Sequence, residues 1–212
     1  MIQDEDGFGP ANIAKLGNVS RETLERIECV IRTLKEWSDR LNLIGRNEWR
    51  HIWRRHVWDS AQLLDHIPLD SQVVDLGSGA GFPGLIIASA LTVEGSGRVH
   101  LIEKSAKKAI FLRAAIEAAE LRVDVHACRT DEVESVEADI VTARAFAPLP
   151  RLMVSASHLF EKDTIGLFHK GEKWKEELTA ATKTWKFSSE AIPSRSGGSG
   201  VILKVWGVQR VS

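Results

Sequence analysis

The stretch that most restricts the fold of this chain runs from Val73 to Gly84 and reads VVDLGSGAGFPG. Its apolar start predicts a short buried β-strand. The glycines at 77, 79 and 81 predict a tight turn where the backbone approaches a ligand that a Cβ atom would exclude. A helix is expected to start after the turn, and its free amide groups favour a polar or anionic ligand. Such a turn at the end of the first strand of an α/β sheet predicts a nucleotide-type binding site.

The spacing of the glycines distinguishes two cofactor classes. Dinucleotide-binding turns follow G-x-G-x-x-G, and Phe82 occupies the place of the third glycine here. The pattern resembles instead motif I of class I S-adenosylmethionine (SAM) methyltransferases, in which an acid such as Asp75 faces the methionine amino group. Glu103 closes the next apolar run and is expected to accept hydrogen bonds from the ribose. From the glycine stretch, the residues expected to bind the cofactor are Asp75, Gly77, Gly79, Gly81 and Phe82.

Strands and helices alternate after residue 70, which predicts an α/β fold with a parallel sheet. Strands are expected at 73–76, 99–102, 123–126, 140–143, 165–169, 185–192 and 201–206. Only a glycine-rich loop separates the last two strands, so that they should form an antiparallel hairpin. Seven strands with a terminal hairpin resemble the Rossmann-like sheet of class I SAM-dependent methyltransferases. We therefore assign residues 71–212 to a SAM-binding methyltransferase domain.

The first 70 residues have a different pattern. Apolar residues recur at three- and four-residue steps between Ser20 and Ile44, which predicts an amphipathic helix with Ser20 as its N-cap. A second helix is expected from an Asn47 cap to about Leu64. Residues 20–70 thus form an N-terminal helical extension. Residues 1–19 are acidic and glycine-containing at their start, and they are expected to be a flexible tail.

Composition excludes several classes of protein. No apolar run reaches the length of a membrane span, and the N-terminus lacks the form of a signal peptide. Cys29 and Cys128 lie far apart, which favours a reduced cytoplasmic protein without a structural zinc, and we expect no bound metal. The net charge of −1 means that any contact with RNA comes from a local basic patch. Nothing in the pattern indicates self-association, so a monomer is expected.

The segment after the fourth strand limits the kinds of methylation reaction that the chain could catalyse. Methyltransferases that act on exocyclic amines usually carry [D/N]-P-P-[Y/F] there, whereas this chain reads ARAFAPL from Ala143 to Leu149. Cytosine-C5 enzymes need a cysteine nucleophile at a similar place, and Cys128 follows the third strand instead. Both chemistries are therefore disfavoured, as is a metal-dependent site, because no cluster of carboxylates is evident.

From about residue 20 to the end, the chain resembles the RsmG (GidB) family of bacterial 16S rRNA guanine-N7 methyltransferases. The resemblance is carried by several motifs in order, at Asn42–Ile44, Arg55–Ser60, Asp75–Gly84, Lys107–Lys108, Phe111–Arg113, Arg129, Arg144–Ala147 and Lys170–Gly171. It implies methyl transfer from SAM to guanine 527 in the 530 loop of 16S rRNA. Guanine N7 carries a lone pair and no proton, so in-line transfer needs no general base. The implied partner is 16S rRNA or the small ribosomal subunit.

The resemblance also implies roles for particular residues. Arg144 should lie beside SAM and position the guanine, in the way that arginine contacts guanine edges. Thr130 and Asp131 match family residues that meet the adenine. The residues expected to contact RNA are Arg46, Arg50, Arg54, Arg55, Arg129 and Lys170.

His56, Asp59 and Ser60 share one helical face. Because they lie so close together on one helix, they do not form a catalytic triad, and we expect them to brace the helical extension against the catalytic domain or to help shape the mouth of the substrate site. Three other functions stay open. The chain could methylate a protein or a small molecule, or be a non-catalytic SAM-binding assembly factor of the ribosomal subunit. A dinucleotide oxidoreductase is disfavoured by Phe82.

Overall fold

A seven-stranded sheet forms the centre of the molecule, in the order β3-β2-β1-β4-β5-β7-β6. The computed structural model describes residues 2–16, 19–133 and 136–211. The strands are β1 (Gln72–Leu76), β2 (Arg98–Ile102), β3 (Val123–His126), β4 (Ile140–Ala143), β5 (Ile165–Lys170), β6 (Trp185–Pro193) and β7 (Val201–Arg210). The first five are parallel, and β7 pairs antiparallel with both β5 and β6. The predicted parallel sheet with its terminal antiparallel hairpin is confirmed.

Helices cover both faces of this sheet. They are α1 (Pro10–Leu16), α2 (Arg21–Ser38), the single turn α3 (Asp59–Ala61), α4 (Gly84–Glu94), α5 (Ala106–Ala118), α6 (Leu149–Ala156) and α7 (Trp174–Ala181). Because the central strands are covered on both faces, β1 and β4 are buried almost throughout rather than at alternate residues. The parallel arrangement brings the carboxyl ends of β1, β2, β4 and β5 to one edge, where the candidate site lies.

Helix α2 fixes the N-terminal extension to the sheet domain. The Ser20 hydroxyl accepts a hydrogen bond from the Thr23 amide, as expected of an N-cap. Ile27 and Leu34 are fully buried, in a core cluster that also contains residues of α4 and α5. The helix ends at Ser38, whereas the apolar spacing predicted a longer one. Ile44 still packs on the core after the chain has turned.

The predicted second helix, from an Asn47 cap to about Leu64, is wrong in detail. Residues 46–66 form a 3-10 helix at Arg46–His51, a π-helix at Trp53–Trp58, α3, and a 3-10 helix at Gln62–His66. Gly45 rather than Asn47 precedes the first of them. The Asp4 carboxylate accepts hydrogen bonds from the amides of Trp53 and Arg54 at 2.8 and 3.0 Å. These amides are thus bonded to the N-terminal segment, which accounts for the break in the regular ladder.

The expected flexible tail at residues 1–19 is also incorrect for the described part. Residues 10–16 form α1, in which Ile13 is fully buried, and Phe8 is 5% exposed. Pro10 suits the first helical position, and the Asn12 side chain accepts from the Gly9 amide at 2.9 Å. Residues 1, 17 and 18 of the tail lie outside the described residues. The proposed division near residue 70 stays a prediction, since one core cluster contains residues from both sides of it.

Candidate active site

The glycine turn follows β1 directly and has the backbone that the sequence predicts. Gly77, Gly79 and Gly81 have φ angles of +66°, +54° and +89°, which lie in a backbone region that residues with a side chain rarely adopt. The Gly77 amide donates to the carbonyl of Ile102 at 2.8 Å, which joins the turn to the end of β2. The Gly79 amide donates to the Glu103 carboxylate at 2.9 Å. The turn and the acid after β2 are thus held together as one unit.

A cavity of about 350 Å³ opens beside this turn. Four of the predicted cofactor residues line it, namely Gly77, Glu103, Thr130 and Asp131, and Arg129, Phe146 and Arg151 complete much of its wall. The Glu103 oxygens accept from the amides of Gly79 and Ser105, at 2.9 and 2.7 Å. Because each oxygen keeps a free lone pair, the carboxylate can still accept from ribose hydroxyls. The glycine turn and the acids therefore fit an adenosyl ligand.

The structure does not place Asp75 on the wall of this cavity. Its side chain is fully buried, and Oδ1 accepts from the Thr142 hydroxyl at 2.8 Å, across the β1–β4 pair. Burial raises the pKa of Asp75 to about 6. Oδ2 has no hydrogen-bond partner within the described residues. In this structure Asp75 links the two central strands below the turn, and its contact with the cofactor stays a prediction.

Phe82 and Gly81 also lie away from the cavity wall. Phe82 is 7% exposed, and its ring faces the His56 ring with centroids 5.0 Å apart. Gly81 lies against the Leu85 side chain, which leaves no room for a Cβ atom. Neither residue lines this cavity, and the cofactor-binding role of both stays a prediction. Phe82 joins the glycine turn to the N-terminal extension, and Gly81 lets the chain enter α4.

Arg144 lies where the sequence predicts, directly after β4, and it contacts the N-terminal extension. Its Nε lies 3.2 Å from Oδ2 of Asp59, and its terminal nitrogens contact the carbonyl of Arg55 at 2.7 Å and Nδ1 of His56 at 3.2 Å. The Arg144 side chain is 20% exposed and lines a cleft of about 740 Å³. The guanidinium is thus fixed in orientation at the edge of this cleft.

Asp59 connects three parts of the chain. Besides Arg144, its carboxylate accepts from the hydroxyls of Ser194 and Ser196 at 3.2 and 2.7 Å. Its backbone carbonyl accepts from Nε2 of His169 on β5 at 2.7 Å. These contacts tie the extension to β4, β5 and the β6–β7 loop, which is the bracing role expected for this face. The serines were not predicted, since a glycine-rich loop gives no sign of a distant partner.

The tautomer of His56 follows from its two partners. Arg144 can only donate, so Nδ1 holds a lone pair, and Nε2 therefore carries the proton that it donates to Glu48 at 3.2 Å. Burial and, next, the charge of Arg144 lower the pKa of His56 to about 4. His56 is thus neutral near pH 7, with both ring nitrogens occupied.

Lys170 does not face solvent as a phosphate contact would. Its side chain is 6% exposed, and Nζ lies 2.9 Å from Oε2 of Glu177 and 2.8 Å from the carbonyl of Ala147. The same Glu177 oxygen accepts from the Leu149 amide at 2.8 Å. The RNA-binding role predicted for Lys170 is therefore corrected: the lysine holds the loop after β4 against α7.

The basic cluster of the extension lies beside the 740 Å³ cleft and is largely paired. Arg50 lies 3.2 Å from Glu5, Arg54 lies 2.9 Å from Asp6, and Arg55 lies 3.7 Å from Glu48. Arg54 and Arg55 line the cleft, and Arg46 begins the same segment. Arg129 lies apart from them, at the mouth of the smaller cavity, where it pairs with Asp131. These pairs are exposed and screened by solvent, so that phosphates can replace the acids.

The described residues give two further findings. Within them, no group of three or more His, Cys, Asp or Glu is placed to hold a metal ion. No helix in this part of the chain has both the length and the apolar character needed to cross a membrane.

Solved structures share this fold at low sequence identity. MtNAS in complex with MTA and tNA aligns with a TM-score of 0.59 at 14% identity, over 93% of this chain and 72% of that one. M. jannaschii TYW2 in complex with AdoMet aligns with a TM-score of 0.55 at 16% identity, over 74% and 76%. The sheet order, the glycine turn and the acid after β2 define a class I SAM-dependent methyltransferase.

Within that class, the chain belongs to the GidB family, described as rRNA small subunit methyltransferase G, whose family model matches residues 23–198. The ribosomal RNA small subunit methyltransferase G of Hyphomonas neptunium is 56% identical over 193 residues, or 91% of this chain and 92% of that protein. The same-named protein of Rhodospirillum rubrum is 42% identical, over 91% and 94%. The expectations of a methyltransferase and of SAM as its cofactor are thereby confirmed.

Proposed function

We propose that this protein methylates N7 of a guanine in 16S rRNA, with guanine 527 of the 530 loop as the target. SAM, when bound, supplies an electrophilic methyl group. The proposal is supported by the family, whose description names the small-subunit rRNA, and by the arginines beside the cleft. We propose a cytoplasmic, monomeric enzyme whose substrate is the RNA of the small subunit.

The observation that carries the proposal concerns the polar groups around the cleft. Both ring nitrogens of His56 are occupied, the Asp59 carboxylate is paired with Arg144, and Nε2 of His169 donates to a backbone carbonyl. The first two groups are therefore not free to remove a proton from a substrate, and Nδ1 of His169, which is unpartnered among the described residues, is buried away from solvent. An exocyclic amine needs such a base, whereas guanine N7 does not, because its lone pair is available at neutral pH. Catalysis then depends on orientation, which can lower a barrier by about 7–11 kcal/mol.

Arg144 is the residue that we propose for positioning the target. Its three contacts fix the plane of the guanidinium at the edge of the cleft. In that position it can donate to guanine O6 or to a phosphate. Arg144→Ala should lower methylation well beyond its effect on stability. Turnover equal to that of the unmodified protein, measured at equal thermal stability, would remove Arg144 from the site.

The decisive experiment is methyl transfer from radiolabelled SAM to small ribosomal subunits that lack the modification. Nuclease digestion and nucleoside chromatography then identify the labelled base. Label in 7-methylguanosine is expected. Label in another nucleoside or in protein would contradict the proposed base specificity, and SAM binding without any transfer would favour a binding protein.

A further inference from the structure

Phe146 stands between two cavities at the end of β4. The 350 Å³ cavity beside the glycine turn has a neighbour of about 390 Å³, which reaches His169 and Lys170. The wall that the two cavities share is formed by Ala145, Phe146 and Ala147. Two of these have only a methyl side chain, so the Phe146 ring supplies most of the partition.

The Phe146 ring also covers the glycine turn. A Cβ atom built on Gly77 would lie 2.6 Å from Cδ2 of Phe146, which is closer than real contacts allow. The ring therefore lies directly on the backbone at the point where the turn leaves β1. A ligand that approaches Gly77 from the cavity must contact one side of the ring, while the other cavity stays open for a second ligand.

The loop that carries Phe146 is held from both directions. On one side, Arg144 is bonded to Asp59 and to the carbonyl of Arg55. On the other, Lys170 donates to the Ala147 carbonyl. Ala145 has a φ of +51°, a conformation that a non-glycine residue keeps only when its surroundings impose it. The position of the ring is thus set by the fold rather than by the ring's own contacts.

We propose that Phe146 is the residue on which the target guanine stacks, with the base in the 390 Å³ cavity, its N7 edge past the rim of the ring, and the cofactor in the neighbouring cavity. The inference rests on the proposed function. RNA-binding proteins commonly hold an unstacked base against the ring of an aromatic side chain. Beyond the rim of the ring, the shared wall has only the methyl side chains of Ala145 and Ala147, so that N7 of a stacked base can reach the cofactor cavity there, and transfer requires that proximity. The flat ring then fixes the tilt of the base, which a methyl or branched aliphatic side chain would leave free.

The test compares Phe146→Leu with Phe146→Tyr. Leucine keeps an apolar side chain over Gly77 but has no flat face, whereas tyrosine keeps the ring. SAM affinity is measured by calorimetry, and transfer to unmodified small subunits is measured at saturating SAM. Loss of one base–aromatic stack predicts a fall of about 5- to 150-fold in kcat/KM for Phe146→Leu, and at most about threefold for Phe146→Tyr. The SAM dissociation constant should change by less than about threefold in both, because the ring adds little to cofactor binding beyond its bulk.

Phe187→Leu is the matched control, since Phe187 is also half-buried against the same apolar cluster but lies on the edge strand β6. It should leave kcat/KM unchanged. Equal kcat/KM for Phe146→Leu and Phe146→Tyr would overturn the inference, as would a loss in Phe146→Leu that follows weakened SAM binding alone. If the unmodified protein places no label in guanosine, the proposed function fails and this inference falls with it. If the unmodified protein forms 7-methylguanosine and only the Leu–Tyr difference is missing, the stacking role alone is wrong.

Discussion

Lys170 forms a buried ion pair with Glu177. If this pair is structural, removing the lysine should change stability, whereas a lysine that contacts RNA should change RNA binding. Lys170→Met removes the charge and keeps most of the length of the side chain. It leaves the Glu177 carboxylate without its cation, while the Ala147 carbonyl loses a donor. Removing one partner of a buried pair costs about 3–5 kcal/mol, and the 25% exposure of Glu177 places this case near the lower end, at about 3 kcal/mol.

In a chain of this size, a loss of about 3 kcal/mol lowers the melting temperature by about 6–12 °C. Urea unfolding followed by circular dichroism should show the loss directly. Adding Glu177→Gln should make the double variant less destabilised than the two single changes together, because the uncompensated carboxylate is gone. Lys183→Met is the matched control, since Lys183 is exposed, and it should stay within about 0.5 kcal/mol of the unmodified protein.

The second measurement is the salt dependence of RNA binding, which tests the alternative role of Lys170 as a phosphate contact. A lysine that contacts a phosphate contributes about one unit to the slope of log affinity against log salt. The buried pair predicts that Lys170→Met leaves this slope unchanged when binding is measured on small subunits below the melting temperature. Unfolding within about 0.5 kcal/mol of the unmodified protein, together with a slope reduced by about one unit, would refute the structural role and restore the phosphate contact.

Three further predictions concern charge. The pKa of His56 is about 4 in the folded protein and near 6.5 when unfolded, so the unfolded chain binds more protons between these values. The His56 contribution to stability should therefore fall by about 2–3 kcal/mol as the pH drops from 7 to 4, whereas Asp75, whose pKa is raised to about 6, contributes in the opposite direction over the same range. The difference between the urea-unfolding pH profiles of the unmodified protein and of His56→Gln isolates the His56 contribution, and parallel profiles would contradict it. Arg50→Glu with Arg54→Glu should weaken RNA binding while SAM affinity stays near normal, and unchanged RNA affinity would place these arginines outside the interface. Conversely, Glu5→Gln with Asp6→Asn releases the same two arginines and should tighten RNA binding in a filter assay; no change would mean that the exposed pairs do not compete with phosphate.

The sheet was predictable because its strands are short apolar runs between turn signals. The predicted bounds of β3 and β4 agree with the structure at every residue, and Ser20 caps α2 as expected. Burial on both faces leaves such strands few alternatives. The folded structure of the N-terminal residues could not be predicted in the same way. It depends on the bonds from Asp4 to Trp53 and Arg54, about fifty positions later, and no local pattern reports them.

The sequence predicted the positions of the candidate site residues better than it predicted the contacts of their side chains. The glycine turn, Glu103 and Arg144 lie at the expected strand ends, because parallel strands all finish at one edge. Spacing could not show that Asp75 turns inward to Thr142, or that Lys170 finds its partner on α7. A sequence pattern states which residue types are present, whereas the bonds already made inside the fold decide which of them remain available to a ligand.

Helix α4 starts at the glycine turn, and every residue from Gly84 to Leu91 is buried. One side of it faces the sheet, and α2 and α3 cover much of the rest. The extension therefore acts as the cover of a helix that has no water-compatible face of its own. A fragment beginning at residue 71 would expose that helix and should aggregate rather than fold. The proposed RNA-binding surface and the unit proposed to hold the cofactor share one core, so that neither can be lost, exchanged or loosened without the other.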